Sequence, residues 1–431
     1  MRVRFRYGRE EIEVNVPDGA EVVASSFPPP PGPADETVRS AVRAPAEAPP
    51  LREALAGRRP GEVVVVVSDA TRPIPYAEFL PGLLAEIEGA GVAREDILIL
   101  VATGMHRPTT PEERDEMFGD EVVGRYRIED HRADSEGDLV ELPTPSRSGA
   151  RIRLNRRFVE AGFRLITGLV EPHFVAGFSG GRKSICPGLA DLDTIRIFHG
   201  PAFLADRAAT NGRLAGNPLH EEALDIARKA GGDFSLNLVL DGDRRIVAAF
   251  AGELDAAHRD ACRFTAAAAC REVKQPADVV VTSSGGYPLD ATFYQCVKGM
   301  VSCLPAVRPG GQIIAFGGCS EGVGSPHYTA LMERYAGRWS EFLRDIHSGE
   351  PFVREQWQLQ IQCRALVKVG EENLHFVTDG LDAESLGRLS VNSHAVRPGE
   401  VGPALQELVE RCADDRTRVA VFPEGPYCAA V

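Results

Sequence analysis

Short, continuous runs of apolar residues constrain the fold of this chain more than any other feature of its sequence. Residues 63–67 are five consecutive valines, and residues 96–102 carry a second run of the same kind. Such runs lack the alternation of a strand with one face in water, which predicts strands buried on both faces. Residues 81–91, between them, place Leu83, Leu84 and Ile87 on one helical face. This alternation predicts an α/β fold with mainly parallel sheets, covered on both sides by helices.

The same pattern predicts the remaining elements and their grouping. Strands are expected at residues 62–68, 96–102, 163–169, 277–282, 311–316 and 418–422, and helices from about residue 111 and at 193–198 and 293–300. Residues 2–16 alternate around Gly8 as in a hairpin, whereas the Pro- and Ala-rich residues 27–50 predict an extended, loosely ordered connection. The 431 residues suffice for two sheets. We place the boundary within 271–276, which gives predicted domains 1–272 and 273–431.

Composition excludes several classes of protein. The net charge of −14 argues against a general nucleic-acid-binding protein, which needs a basic face. No apolar run is long enough for a membrane span, and the charged N-terminus lacks the apolar stretch of a signal peptide. The nine cysteines show no Cys-x-x-Cys spacing, so most are expected to be core residues. These features predict a cytoplasmic protein that binds neither membranes nor nucleic acids.

Ionisable side chains cluster directly after the predicted strands. They are Asp69, Arg72, His106, His173, Lys183 and Lys298, on separate segments. Sites in open parallel sheets form outside the carboxyl ends of the strands, so we expect these side chains to converge. A local group of cations could bind an anion despite the negative net charge.

Arg72 and the two histidines are the candidates for substrate chemistry. The Arg72 guanidinium can hold a carboxylate through two parallel hydrogen bonds, with Asp69 orienting either Arg72 or a histidine. A loop salt bridge is the alternative for this pair. Histidine side chains titrate near neutrality, so His106 and His173 are candidates for the general acid and base. Two bases on opposite sides of one carbon would suit inversion of a stereocentre, although each histidine could instead be structural.

Residues 177–184, Gly-Phe-Ser-Gly-Gly-Arg-Lys-Ser, form the most distinctive stretch of the chain. They nearly match the phosphate-binding loop G-x-x-x-x-G-K-[ST], with Gly177, Lys183 and Ser184 in place. Arg182 occupies the position of the second required glycine, which argues against a nucleotide hydrolase. The loop can still hold a phosphate with its backbone N–H groups and present the Lys183 amine as a covalent attachment point.

The residues alone leave open the roles of His199 and of three residues on a later predicted helix. His199 follows a predicted helix, where a capping role is the simplest interpretation, since no zinc-type spacing surrounds it. Tyr294, Gln295 and Lys298 lie at neighbouring positions of a predicted helix. An amide and an ammonium near a helix N-terminus suit an anion, and a solvated polar face is the alternative.

Five motifs taken together resemble the nickel-pincer lactate racemase family. They are Asp-Ala-Thr-Arg-Pro at 69–73, Gly-Met-His-Arg-Pro at 104–108, Glu-Pro-His at 171–173, the loop at 177–184 and Tyr-Gln-Cys-Val-Lys at 294–298. They occur in matching order between about residues 63 and 300. Ala70 and Cys186 depart from the pattern without removing a catalytic group.

The resemblance implies two α/β domains with the active site in the cleft between them. It also implies a nickel-pincer nucleotide, a pyridinium-derived mononucleotide whose two sulfur arms and a ring carbon hold nickel. Lys183 would carry this cofactor covalently and His199 would be the protein ligand of the metal. The other implied cofactor-binding residues are Gly177, Ser179, Gly180, Gly181, Arg182 and Ser184.

The implied reaction is the racemisation or epimerisation of a small 2-hydroxy acid by reversible hydride transfer to the cofactor. His106 and His173 would exchange the hydroxyl proton, one for each enantiomer, with Asp69 steering a histidine or Arg72. The residues expected to hold the carboxylate are Arg72, Tyr294, Gln295 and Lys298. Transient partners would be the cofactor-assembly enzymes, and homo-oligomerisation is compatible with the family.

Three alternatives accompany this interpretation. The first is a cofactor-free protein that binds a small carboxylate. The second is an NAD-dependent 2-hydroxy acid dehydrogenase, although no G-x-G-x-x-G follows an early strand. The third is a zinc hydrolase that uses His106, His173 and His199.

Overall fold

The structure, a computed structural model, describes residues 1–273, 275–348 and 353–431. Its strands are β1 (Arg2–Tyr7), β2 (Glu10–Asn15), β3 (Glu21–Val22), β4 (Val63–Ser68), β5 (Ile97–Ala102), β6 (Arg127–Asp130), β7 (Leu139–Glu141), β8 (Arg153–Asn155), β9 (Phe163–Leu169), β10 (Pro172–His173), β11 (Gly177–Phe178), β12 (Phe234–Leu240), β13 (Ile246–Gly252), β14 (Cys270–Arg271), β15 (Ala277–Ser283), β16 (Val307–Phe316), β17 (Leu374–Thr378), β18 (Asn392–Ala395), β19 (Val419–Phe422) and β20 (Ala429–Ala430).

The α-helices pack around these strands. They are α1 (Ala34–Arg43), α2 (Leu51–Ala56), α3 (Tyr76–Glu88), α4 (Pro111–Phe118), α5 (Asp120–Arg125), α6 (Arg156–Glu160), α7 (Leu192–Phe198), α8 (Pro201–Ala205), α9 (Pro218–Ala230), α10 (Leu254–Ala269), α11 (Phe293–Ser302), α12 (Pro326–Arg334), α13 (Trp339–Ser348), α14 (Gln356–Val369), α15 (Ala383–Leu386) and α16 (Val401–Cys412). None of these helices combines the length and the apolar character that a transmembrane span requires.

The first of two six-stranded sheets has the order β13-β12-β9-β4-β5-β6. Its strands pair in parallel, except that β13 runs antiparallel to β12. The valines of β4 are completely buried, since helices cover both faces of the sheet. The predicted α/β fold with mainly parallel sheets is therefore confirmed, and so are the strands predicted around β4, β5 and β9.

The second sheet, of order β18-β17-β16-β15-β19-β3, has only parallel pairs. Its edge strand β3 comes from the N-terminal segment, and the β1–β2 hairpin packs on the same sheet. Phe5 of the hairpin meets the ring of Phe316 edge to face at 5.2 Å between centroids. The N-terminal segment thus crosses the boundary between predicted domains 1–272 and 273–431, a division that stays a prediction.

One prediction about local structure is wrong. Residues 34–43, within the segment predicted to be loosely ordered, form helix α1, and residues 51–56 just beyond it form α2. Val38 and Val42, four positions apart, are buried in the same core cluster as Leu80 and Leu83 of α3. Proline and alanine content suggested an extended chain, but burial of this apolar stripe stabilises the helix.

We expect Phe5→Ala to destabilise the protein by about 3–5 kcal/mol, because Phe5 is only 1% exposed and its removal leaves a cavity against the second sheet. Arg4→Ala changes the exposed neighbour and is the matched control, with an expected change within about 0.5 kcal/mol. Chemical denaturation of both variants measures the difference. Equal stability of the two variants would contradict the packing role of the hairpin.

Candidate active site

A cavity of about 500 Å³ opens where loops from the first sheet face helix α11 of the second half. The predicted site residues that line it are Asp69, Arg72, His106, His173, Ser179, Gly180, Lys183, Ser184, His199, Tyr294, Gln295 and Lys298. Asp69 and Arg72 follow β4, His106 follows β5, and the segment from His173 to Ser184 follows β9. These side chains come together because the three neighbouring parallel strands end at the same edge of the sheet. Helix α11 follows β15 and supplies the last three residues.

Asp69 orients His106. Its Oδ2 atom lies 2.6 Å from His106 Nδ1, while Oδ1 accepts hydrogen bonds from the hydroxyl and backbone N–H of Thr71. Burial alone would raise the pKa of Asp69, but the hydrogen bonds from His106 and Thr71 outweigh it and the pKa is lowered. The carboxylate therefore stays charged and holds the proton of His106 on Nδ1, which leaves Nε2 as the free nitrogen.

Among the residues that the structure describes, Arg72 makes one weak ion pair. Its Nη1 atom lies 3.5 Å from Glu171 Oε1, longer than a strong charge-assisted hydrogen bond. Most of its donors therefore remain available in the cavity for an anion. The loop salt bridge considered from the sequence joined Arg72 to Asp69, whereas the ion pair in the structure joins Arg72 to Glu171 and does not satisfy the guanidinium.

His173 is held in the opposite way to His106. Its Nδ1 atom accepts hydrogen bonds from the backbone N–H groups of Val175 and Ala176, at 3.3 and 3.2 Å. Its Nε2 atom lies 2.7 Å from the Nζ atom of Lys183. Burial, reinforced by the charge of Arg72, lowers the pKa of His173 well below its usual value, so the ring is neutral.

Hydrogen bonds fix the loop at 177–184 to the first sheet. The hydroxyls of Ser179 and Ser184 donate to the carbonyls of Leu169 and Thr167, at 2.6 and 2.8 Å. Gly180 has φ +75°, and a Cβ atom there would lie 2.6 Å from a methyl group of Val170. Glycine at this position thus permits the turn that presents Lys183 to the cavity.

Arg182 points away from the cavity into the core. Its side chain is 1% exposed, donates to the carbonyl of Ala176 at 2.8 Å and lies 2.8 Å from His258 Nε2. A Cβ atom on Gly181 would lie 2.7 Å from the His258 ring, and one on Gly177 would lie 2.2 Å from the carbonyl of Arg213. These three positions support the loop from behind, and their assignment as cofactor contacts stays a prediction.

His199 has the geometry of an oriented metal ligand. Its Nδ1 atom lies 3.0 Å from the carbonyl of Ile195, which fixes the ring proton on Nδ1 and leaves Nε2 with its lone pair. Burial lowers the pKa of His199 to about 4. The ring is therefore neutral, as metal binding requires. Within the described ranges, no three His, Cys, Asp or Glu residues come together as a conventional metal site.

Helix α11 adds an amide and a second cation. Gln295 Oε1 is buried and finds no hydrogen-bond donor in the part of the chain that the structure describes. Burial, reinforced by Arg72, lowers the pKa of Lys298 to about 7. Arg72 and Lys298 thus approach the cavity from the two halves of the molecule.

Sequence reasoning missed the residues that α14 contributes. Trp357 lines the cavity, donates from Nε1 to the hydroxyl of Tyr294 at 2.9 Å, and packs its ring 5.0 Å from that of His199. Glu355, just before α14, lines the same cavity and accepts a hydrogen bond from Ser325. The sequence indicates these residues only by a tryptophan among glutamines at 356–360, which lies outside the five motifs.

Comparisons with known proteins agree over most of the chain. The family models described as lactate racemase N-terminal domain and lactate racemase C-terminal domain match residues 7–212 and 273–427. A lactate racemase of Thermoanaerobacterium thermosaccharolyticum is 34% identical over 395 residues, which cover 91% of this chain and 89% of the relative. A lactate racemase of Lactiplantibacillus plantarum is 33% identical over 400 residues, with coverages of 90% and 89%.

One solved structure supports the same assignment, and a second shares only the fold. The lactate racemase apoprotein from Thermoanaerobacterium thermosaccharolyticum superposes with a TM-score of 0.90, 31% identity and complete coverage of both chains. A protein from Thermotoga maritima shares the fold at a TM-score of 0.66 and 18% identity, over 88% of this chain and 97% of the other. The predicted family and enzyme class, an isomerase, are confirmed, because this chain belongs to the lactate racemase family.

Proposed function

We propose that the protein interconverts the enantiomers of a small 2-hydroxy acid such as lactate, with a nickel-pincer nucleotide attached to Lys183. The observation that carries the proposal is the convergence, in one cavity, of His106 held by Asp69, His173 beside Lys183, and two cations from different halves of the chain. The cytoplasmic location, the assembly enzymes and a homo-oligomer remain predictions.

The residues of the cavity fit the proposed cofactor. Lys183 offers an amine whose pKa is lowered well below its usual value by burial and then by the charges of Arg72, Arg182 and Lys298. His199 offers a neutral ring with Nε2 free for nickel. The turn at Gly180 leaves backbone near the cavity without a side chain. When bound, the cofactor supplies the acceptor for the hydrogen on the substrate Cα.

The chain's own groups account for binding and proton transfer. Arg72 and Lys298 neutralise the substrate carboxylate, which positions Cα between the histidines. His106 takes the hydroxyl proton on Nε2, and the imidazolium formed is stabilised by Asp69. His173 serves the opposite enantiomer. The zinc-hydrolase alternative lacks support, because His106, His173 and His199 do not form a group that could hold one ion within the described ranges.

Replacing Lys183 with alanine is expected to abolish covalent loading, because the attachment nitrogen is lost. Intact mass and peptide mapping after incubation with the cofactor-assembly enzymes measure this directly. The wild type and the control Lys229→Ala should gain the cofactor mass on Lys183. Added mass on another residue, or unchanged loading of Lys183→Ala, would overturn the attachment site.

We expect Asp69→Asn to lower kcat about a hundredfold or more, because an amide cannot hold His106 in the required protonation state. KM should change little, since Asp69 does not bind the carboxylate. Glu113→Gln, which alters the partly buried partner of the exposed Arg107, is the control. Initial rates of racemisation by chiral chromatography test this, and a kcat within a few-fold of wild type would refute the role.

The KM for the substrate should rise with pH. The pKa of Lys298 is about 7, so its ammonium is present below that value and is lost above it. We expect KM to be flat below about pH 6 and to rise about tenfold per pH unit above about pH 8. Lys298→Arg should flatten the profile, because arginine stays charged. A wild-type KM independent of pH would disprove this role.

A further inference from the structure

Lysine is rare in this chain. Only five of its 48 basic residues are lysines, and two of the five, Lys183 and Lys298, line the cavity. Arginine keeps its proton in any protein environment, whereas lysine loses it readily when desolvated. Lysine at position 183 therefore makes a neutral amine accessible in the cavity, which an arginine there would not.

The other hydrogen bonds of His173 determine the direction of its bond with Lys183, that is, which of the two side chains is the donor. Two backbone N–H groups, from Val175 and Ala176, point at Nδ1, so that nitrogen carries the lone pair. The single proton of the neutral ring is then on Nε2. Because Nε2 lies 2.7 Å from Lys183 Nζ, the imidazole is the donor and the amine must be the acceptor. Only an unprotonated amine has a lone pair to accept with.

The charges around Lys183 act in the same direction. The groups that face it are Arg72 after β4, Glu171 and His173 after β9, Arg182 in its own loop, His199 after α7 and Lys298 on α11. Three of these are cations and one is a carboxylate, and Glu171 is already shared with Arg72. A further ammonium at Nζ would be repelled and poorly solvated.

We propose that His173 has a role that precedes catalysis, in which its Nε2–H holds Lys183 as a neutral nucleophilic amine in the unloaded protein. This rests on the proposed attachment at Lys183. Once Nζ is acylated, its lone pair is delocalised and it no longer accepts a hydrogen bond. His173 Nε2 is then released into the cavity, so the histidine becomes available to substrate only in a loaded protein.

The test is acetylation of the unloaded protein by N-acetoxysuccinimide across a pH series, with each lysine quantified by peptide mass spectrometry. The reagent forms an amide bond at Nζ, its ester bond breaks, N-hydroxysuccinimide leaves as the anion, and the amine proton passes to solvent. At neutral pH, wild-type Lys183 should react faster than Lys229, whose ammonium is paired with Asp225. Slower reaction at Lys183 would overturn the proposal.

Variants of His173 distinguish a neutral Lys183 that accepts the hydrogen bond from a charged Lys183 that donates it, because the acetylation midpoint shifts in opposite directions in the two cases. His173→Leu removes the donor, so the midpoint of Lys183 acetylation should rise by about one pH unit, and the rate at pH values below the wild-type midpoint should fall about tenfold. His173→Gln retains an N–H donor near the Nε2 position and should restore most of the reactivity. If Lys183 were instead an ammonium donating to His173, His173→Leu would lower the midpoint and speed the reaction, which would overturn the proposal.

A measurement on the wild type covers the case in which His173→Leu does not fold. Protein labelled with ¹³C at the lysine ε carbon gives at most five NMR signals. The signal that is missing from the Lys183→Ala spectrum is that of Lys183. A Lys183 signal in the neutral-amine position at pH 7 supports the proposal, and an ammonium signal contradicts it. Neither measurement needs the cofactor, so failure of the proposed attachment and failure of this inference are distinguishable.

Discussion

The fold-back of residues 177–184 onto the carboxyl end of β9 is the constraint on which the site depends. Ser184 and Ser179 tie this loop to the carbonyls of Thr167 and Leu169, and Arg182 ties it from the core side. An arginine that is almost fully buried is costly unless its donors are satisfied, and here backbone carbonyls satisfy several of them. The arrangement leaves Lys183 as the long side chain of the loop that reaches the cavity.

That position makes the electrostatics of the cavity the next constraint. Arg72 and Lys298 bring positive charge from the two halves of the chain, within a protein of net charge −14. Three full cations in a partly buried space would repel one another more than Glu171 could compensate. Keeping Lys183 neutral reduces this repulsion while it preserves two cations for an anionic ligand. The neutral state of Lys183 therefore favours the charged states of Arg72 and Lys298, which bind the carboxylate.

The sequence predicted what is encoded locally. The buried strands β4 and β5 were found because a fully apolar run has few alternatives, and the post-strand residues Asp69 and His106 converge as parallel strands require. The pairing of β3 with β19 joins opposite ends of the chain and has no local signature. The place of Trp357 in the cavity and the inward direction of Arg182 depend on the residues that pack against these side chains. Neither the spacing of residues nor composition predicts those neighbours.

The two histidines differ in a way that no motif could have predicted. His106 has its proton on Nδ1, against Asp69, so its Nε2 accepts, whereas His173 has its proton on Nε2 and donates. A racemase needs one group to take a proton and another to return one; in these states His106 can take a proton, whereas His173 must itself be protonated before it can return one. His173 can take a second proton only on Nδ1, where two backbone N–H groups now point. Full proton exchange at His173 therefore requires the ring to move away from Val175 and Ala176, which the release of its bond to Lys183 would allow.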